Sequence, residues 1–273
     1  MPNSDTYGVA SKSVAPQLDR QMTSLGKLAI DALELQAGSS IIDVGCGAGQ
    51  TCSQLAKVVR QDGYVLGIDI SPELVRHSKA RTQQLPNVDI ELGDVQTYKF
   101  QPRRFDRIFS RFGVMAFSDP KTAFQNLRSA LKSDGRMAFV CWRKFGENEI
   151  DHLPFRAAHS FLPSDTTNNI YDSSPFSFAN PNTVTTLLEE AGFQSIEISS
   201  HDQPVSAGNV DDTLELCLKV GMLGRIVRES PQLRASVEVP LRRALEAVTI
   251  GNDVVMNAAV WLVTAKNSYS QGA

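Results

Sequence analysis

The chain has 273 residues, 42% of them hydrophobic and 21% charged, with 27 Lys plus Arg against 30 Asp plus Glu for a formal net charge of -3. That make-up belongs to a folded, water-soluble protein; it excludes a disordered or collagen-like chain, and the lack of a basic surplus argues against nucleic acid as a partner. No run approaches the roughly 20 apolar residues that cross a bilayer, and Met1-Pro2-Asn3-Ser4-Asp5-Thr6 lacks the cationic start and apolar stretch of a secretory leader.

Leu18, Met22, Leu25, Ala29, Ala32 and Leu33 share one stripe and predict an amphipathic helix over 14–35. Short apolar runs then predict strands at 40–44, 64–70, 88–92, 106–110 and 136–142, with helical stretches between them. Cys52, Leu55, Ala56 and Val59 form the inner face of the first of these helices. Ser71-Pro72-Glu73 and Asp119-Pro120 each place a capping side chain before a proline at the first helical position. Ser133-Asp134-Gly135 predicts a turn before the fifth strand. Strands joined in this way lie parallel with right-handed crossovers, as an α/β doubly wound sheet.

Residues 143–180 show no clear period and read as a functional insertion. Val184, Leu187, Leu188 and Ala191 predict a helix ending at Gly192, and Ser195 to Ser199 a half-buried strand. Leu233, Val237, Leu241, Ala244, Leu245 and Val248 predict a further helix, bent at Pro240, before a last strand at 259–265. The four cysteines, Cys46, Cys52, Cys141 and Cys217, have neither C-x-x-C spacing nor clustered histidines, so no metal site and no disulfide framework is expected, and the compartment is read as the reducing cytoplasm.

The densest chemistry lies in Ile41-Ile42-Asp43-Val44-Gly45-Cys46-Gly47-Ala48-Gly49-Gln50. A buried strand runs into three alternating glycines and then a helix, which lets a ligand approach the backbone at a helix N-terminus. Asp69 closes the second strand, where a carboxylate accepts from ribose hydroxyls, and Asp94 closes the third, where it accepts from an adenine amino group while the Val95 N–H faces the ring. A dinucleotide fingerprint wants its third glycine one residue later, where Gln50 stands, and Asp43 before the first glycine would repel a pyrophosphate. A cationic sulfonium and ammonium are compatible with that carboxylate, so S-adenosyl-L-methionine is the expected cofactor and S-adenosyl-L-homocysteine its product.

Asp43-Val44-Gly45-Cys46-Gly47-Ala48-Gly49, Gly67-Ile68-Asp69-Ile70-Ser71-Pro72, Gly93-Asp94-Val95-Gln96 and Phe105-Asp106-Arg107-Ile108-Phe109-Ser110-Arg111-Phe112 resemble the class I S-adenosylmethionine-dependent methyltransferases, in the group that includes the ubiquinone and menaquinone methyltransferases. Ser110 to Met115 and Phe139 to Arg143 resemble a bacterial small-molecule subgroup. The resemblance implies a Rossmann-like seven-stranded sheet with the last strand antiparallel. It also implies roles: Gly45 and Gly47 against the methionyl part, Asp69 on the ribose, Ile70 on the adenine face, and Asp94 and Val95 at the adenine edge. The backbone of Ser110 and Arg111 would receive the methionyl ammonium, and Phe112 would border the acceptor. Asp43, Cys46, Gly49 and Gln96 complete the cofactor-binding set. Trp142 and Arg143 are the further acceptor-side candidates.

Methyl transfer is an in-line displacement in which the protein supplies alignment, and a base is needed only where the acceptor must lose a proton. Among His77, His152, His159 and His201 the candidate is His152, in the irregular segment after the fifth strand, where Glu147-Asn148-Glu149-Ile150-Asp151-His152 replaces the subgroup's E-N-P-W run. No Asp/Asn-Pro-Pro-Tyr/Phe/Trp follows the fourth strand, so DNA-base methylation is disfavoured. A small organic acceptor is expected, near an insertion whose Phe145, Phe155, Phe161, Phe176 and Phe178 read mainly as anchors to the core. One domain over 1–273 is expected: a helical lid over 1–38, to which Tyr7 belongs, a cofactor-binding half over 39–142 and an acceptor-side half over 143–273. The rival readings are a non-catalytic module of the same fold and an NAD(P)-dependent oxidoreductase; the oligomeric state is left open.

Overall fold

The computed structural model describes residues 14–163 and 174–267. Tyr7 and part of the 143–180 insertion lie outside them. The elements in chain order are α1 (Ala15–Ala32), β1 (Ser40–Val44), α2 (Gln50–Val59), β2 (Tyr64–Asp69), α3 (Pro72–Thr82), β3 (Val88–Leu92), β4 (Phe105–Arg111), α4 (Pro120–Ala130), β5 (Leu131–Trp142), α5 (Glu149–Ala158), α6 (Pro181–Glu190), β6 (Gln194–Val205), α7 (Val210–Cys217), α8 (Gly221–Glu229), α9 (Arg234–Glu246), β7 (Thr249–Ile250), β8 (Asp253–Val254) and β9 (Met256–Lys266).

Seven strands form one sheet in the order β3-β2-β1-β4-β5-β9-β6, with β7 and β8 a separate antiparallel hairpin. The pairs β1–β2, β1–β4, β2–β3 and β4–β5 are parallel, and the last strand runs antiparallel, as expected from the resemblance. Strand order reverses between β1 and β4, the position at which open α/β sheets bind ligands beyond the strands' carboxyl ends.

Described residues fall into two compact units, one of 25–141, 177–200 and 261–267, the other of 14–24, 142–163, 174–176 and 201–260. In the first, α2 buries Thr51, Cys52, Leu55, Ala56 and Val59, the stripe that the sequence predicts. Ser71 and Asp119 cap α3 and α4 by accepting from the backbone N–H of Leu74 and Thr122, with Pro72 and Pro120 opening the helices. Phe124 of α4 is fully buried, with the Phe139 and Phe178 rings stacked on it at 6.0 and 6.2 Å and Phe193 edge-on. Phe178 is thus a core anchor. The turn expected at Ser133-Asp134-Gly135 is instead a break in register inside β5: Phe105 pairs with Leu131, then Arg107 with Arg136.

In the second unit α5 packs on α8 and α9, and α7 on both of the same helices. Here the sequence reading needs correction: 149–158, read as irregular, is helix α5, burying Ile150, Leu153, Pro154, Phe155 and Ala158. Pro154 lies inside it and removes one backbone donor, which is why it reads as a breaker. Phe145 meets Phe155 and Phe176 edge-on at 5.7 and 5.5 Å, so these rings are core as well, whereas Phe161 is exposed.

Candidate active site

The loop from β1 to α2 bends back over β2: the N–H groups of Gly45 and Cys46 both donate to the Ile68 carbonyl, at 2.8 and 3.1 Å. Its three glycines all have left-handed backbones, with φ of 68°, 55° and 82° at Gly45, Gly47 and Gly49. Their surroundings differ. A Cβ on Gly45 would lie 2.6 Å from the Gly113 Cα, and one on Gly49 would strike the Ser78 hydroxyl, but one on Gly47 would meet nothing within 4 Å. Gly45 and Gly49 therefore permit close packing of the loop on its own protein, and Gly47 is the glycine that borders open space.

Asp43 at the end of β1 is 1% exposed. Its Oδ2 accepts from the Thr51 hydroxyl at 2.5 Å and the Cys52 thiol at 3.2 Å, while its Oδ1 is buried with no hydrogen-bond partner. Burial pushes this carboxyl up from 3.8 to about 6, against the opposing pull of the Thr51 and Cys52 donors and the Arg111 charge. Cys46 and Cys52 are packing residues: a Cβ on Gly67 of β2 would sit 2.6 Å from the Cys52 Sγ and 3.1 Å from the Cys46 Sγ.

β4 closes the other side. The fully buried Ser110 hydroxyl donates to the Val44 carbonyl at 2.8 Å and accepts from the Gly113 N–H at 3.1 Å, which locks the end of β4 to the end of β1. Arg111 sends Nη1 to the Gln50 Oε1 at 2.5 Å, passing Gly26 of α1, where a Cβ would stand 3.1 Å from the Arg111 Cδ. The resemblance assigns Arg111 through its backbone; its guanidinium bonded to Gln50, and the Thr51 hydroxyl bonded to Asp43, are what sequence reasoning missed. The available signal was Gln50 itself, in the place of a fingerprint glycine. Phe112 turns into a left-handed conformation at φ 65° as β4 ends, a strained backbone for a bulky side chain.

Asp69 is 9% exposed and accepts from the Gly47 N–H at 2.9 Å and the Ser71 N–H at 2.9 Å, one on each carboxylate oxygen. Burial raises its pKa, partly offset by these backbone donors. Beside it Ile70 is 57% exposed, an apolar side chain held at the surface next to the carboxylate. The Gly93 N–H donates to the Asp69 carbonyl at 3.0 Å and so draws the loop after β3 to the end of β2. In that loop Asp94 accepts from the Gln96 N–H and the Gln96 Nε2, both at 2.9 Å, and the Asn126 Nδ2 donates to the carbonyl of the buried Val95 at 2.7 Å.

All twelve residues expected to hold the cofactor, and Phe112, thus belong to the first unit, clustered at the carboxyl ends of β1, β2, β3 and β4. Trp142, Arg143 and His152 belong to the second. Trp142 is buried at the end of β5. Arg143 binds Glu147 at 2.9 Å and Asp202 at 3.2 Å through its guanidinium. Fully buried Asn148 ties the same corner by donating to the Arg143 and Lys144 carbonyls and accepting from the Ala259 N–H at 2.8 Å. His152 stands on α5, not in a loop, with its ring edge-on to Phe145 at 5.5 Å. Among the described residues no group of three His, Cys, Asp or Glu side chains is arranged to hold a metal ion, and no helix is long and apolar enough to cross a membrane.

Residues 35–192, more than half of the chain, match a family model described as a methyltransferase domain. A demethylmenaquinone methyltransferase of Staphylococcus epidermidis is 27% identical over 195 residues, covering 66% of this chain and 78% of that protein. Aklanonic acid methyltransferase DauC of a Streptomyces species is 30% identical over 43% of this chain and 54% of its own. An uncharacterised 37.1 kDa protein of transposon Tn4556 from Streptomyces fradiae is 36% identical over 45% of this chain, but the match spans only 34% of that protein. In three dimensions the chain resembles YcgJ of Bacillus subtilis, with a TM-score of 0.59 at 18% identity, over 91% of this chain and all of that one. It also resembles phosphoethanolamine N-methyltransferase 2 of Haemonchus contortus, solved with S-adenosylhomocysteine, with a TM-score of 0.60 at 15% identity over 95% and 58% of the two chains. The glycine loop and the acids that end three neighbouring strands all lie within the matched residues, and the chain belongs to the class I S-adenosylmethionine-dependent methyltransferases.

Proposed function

We propose that the protein transfers the methyl group of S-adenosyl-L-methionine to a small organic acceptor, in the cytoplasm, as one catalytic domain. The observation that carries the reading is the row of acids at consecutive strand ends, Asp43, Asp69 and Asp94, around the one loop glycine that borders open space. The residues fit the cofactor on two counts. A Cβ on Gly47 would project into space free of protein, and Asp43 keeps a buried oxygen without a partner beside the loop, which suits a ligand that carries positive charge.

When bound, S-adenosylmethionine supplies an electrophilic methyl on a sulfonium, from which a neutral thioether leaves with the bonding pair. The protein's work is then alignment. Asp69 has an acceptor oxygen on either side, each already fixed by one backbone N–H, so its remaining lone pairs are preoriented for a ribose diol. Exposed Ile70 offers the base an apolar face, and Asp94 and Val95 its edge. Asp43 draws positive charge toward the loop, and Arg111, bonded to Gln50, adds a positive charge that acts on the same carboxylate.

Phe112, Trp142 and Arg143 are the acceptor-side candidates, and the Arg143 pairing with Glu147 and Asp202 gives that residue a structural duty beside any role in binding. Where the acceptor must lose a proton, His152 is the candidate base. A small acceptor is supported by the balanced net charge of -3 and by relatives named for demethylmenaquinone and aklanonic acid. The test is formation of S-adenosylhomocysteine from S-adenosylmethionine with a panel of hydroxylated quinones and aromatic polyketides, read by mass spectrometry. Acceptor-dependent product carrying one added methyl is expected; product only with nucleic acid or protein would overturn the reading. With an acceptor in hand, His152→Ala is expected to lower turnover at saturating acceptor and leave S-adenosylhomocysteine affinity unchanged, and unchanged turnover removes His152 from the chemistry.

A further inference from the structure

We propose that Gln96 is the positioning residue that makes the adenosyl subsite selective for a 6-amino purine: it aims the Asp94 carboxylate and fixes it to the amino end of α4. The inference rests on the proposed cofactor reading and deepens it.

The geometry is a bridge with both ends bonded. The Gln96 Nε2 donates to the Asp94 Oδ2 at 2.9 Å, and the Gln96 backbone N–H donates to the other oxygen, Oδ1, at 2.9 Å. Both carboxylate oxygens are therefore held by one residue, which sets the plane of the group. At its other end the Gln96 Oε1 accepts from the Ser118 hydroxyl at 3.0 Å and the Asp119 N–H at 2.5 Å. Asp119 caps α4, and Asn126 of the same helix donates to the Val95 and Tyr98 carbonyls at 2.7 and 2.8 Å. The loop that carries Asp94 is thus fastened to α4 at two points, and the side-chain amide of Gln96 can satisfy both sides in only one orientation, nitrogen toward Asp94 and oxygen toward Ser118.

This orientation has a chemical consequence. A carboxylate presents acceptors, and a rigid acceptor welcomes an exocyclic amine but opposes a carbonyl in its place. A purine with oxygen at C6 would face two acceptors across one gap. Such discrimination by a half-buried acceptor depends on its orientation and lasts only while the acceptor cannot turn away. Gln96 is the residue that prevents it from turning.

The test is titration calorimetry of the full chain with S-adenosyl-L-homocysteine and with S-inosyl-L-homocysteine, which differs by oxygen for the amine at C6. Wild type is expected to favour the adenosyl compound by at least about tenfold, the scale of one charge-assisted hydrogen bond. Gln96→Leu is expected to weaken adenosyl binding by about tenfold and inosyl binding by less than about twofold, so the preference collapses. Ser118→Ala, which removes one donor to Gln96 and leaves the other, is expected to shift the ratio in the same sense by a smaller factor. Adding Gln96→Leu to Asp94→Ala should change the ratio no further, because the two act as a unit. Equal weakening of both ligands by Gln96→Leu would make Gln96 a merely structural tie and overturn the inference. Failure of wild type to bind S-adenosylhomocysteine at all is a different result; it overturns the cofactor reading itself and takes this inference with it.

Discussion

The Thr51 hydroxyl donates to the Asp43 carboxylate at 2.5 Å, from the first turn of α2 back to the last turn of extended chain in β1. One oxygen of Asp43 is thereby satisfied, with help from the Cys52 thiol, and the other is buried with no partner. A half-satisfied buried carboxylate costs stability, and its retention next to the glycine loop fits a duty to the ligand.

That cost has a sign and a pH window. The Asp43 pKa is raised from 3.8 to about 6, so between about pH 4 and pH 6 the folded chain keeps a proton that the unfolded chain has released. Stability from this group therefore falls as pH rises through that window, and the full penalty, on the order of 3 kcal/mol, applies above it. Asp43→Asn is expected to raise the Tm by a few degrees at pH 7.5, to match wild type near pH 4, and to bind S-adenosylmethionine more weakly. Thermal melts across pH check the first two, and a lower Tm at pH 7.5 would mean that the ionised carboxylate is a net stabiliser.

The loop glycines separate packing from binding. Gly49→Ala forces a left-handed alanine against Ser78 and is expected to cost about 2 to 4 kcal/mol in urea unfolding, from strain plus overpacking. Gly47→Ala has room for its methyl, so its expected cost is only the ~1 kcal/mol of the left-handed conformation. Its methyl enters the open space beside the loop, and loss of S-adenosylhomocysteine affinity by tenfold or more is expected. Equal stability loss at both positions would contradict the assignment of Gly47 to the ligand side.

All four cysteines are free and buried. Burial pushes the Cys141 thiol far up and the Cys217 thiol to about 12, with the Asp151 charge adding to the latter; contact with Cys46 and burial raise Cys52. Thiolates are scarce in such settings, so a disulfide reagent at pH 8 is expected to titrate Cys52, Cys141 and Cys217 only as fast as the protein unfolds. A thiol that reacts within seconds under native conditions would show that one of these sites opens locally.

The half proposed to hold the cofactor is legible in the sequence because each strand end carries its chemistry in a few consecutive residues. Asp43 before the glycines, Asp69 before Ser71-Pro72 and Asp94 after Gly93 are local signals, and the capping residues Ser71 and Asp119 stand where the helices begin. Partnerships across the chain were not legible. The Arg111 side chain meets Gln50 from a position 61 residues away, and Gln96 meets Ser118 and Asp119 across 22 and 23 residues. Helix α5 was hidden by Pro154, and α8 begins where Asp151, far off in sequence, accepts the Met222 N–H at 3.2 Å. Of the two partners of Arg143, Glu147 is four residues on and local, whereas Asp202 is 59 residues away and is brought to it only by the fold.

The central claim is that Asp69 and the glycine loop hold an adenosyl cofactor. It is tested most directly by isothermal titration of S-adenosyl-L-homocysteine into wild type and Asp69→Ala, with NADH as the control ligand. Micromolar binding to wild type is expected, with a loss of at least about tenfold in Asp69→Ala as two charged hydrogen bonds to the ribose disappear, and no heat from NADH. Binding of NADH in place of S-adenosylhomocysteine, or equal affinity of the two proteins for S-adenosylhomocysteine, would contradict it.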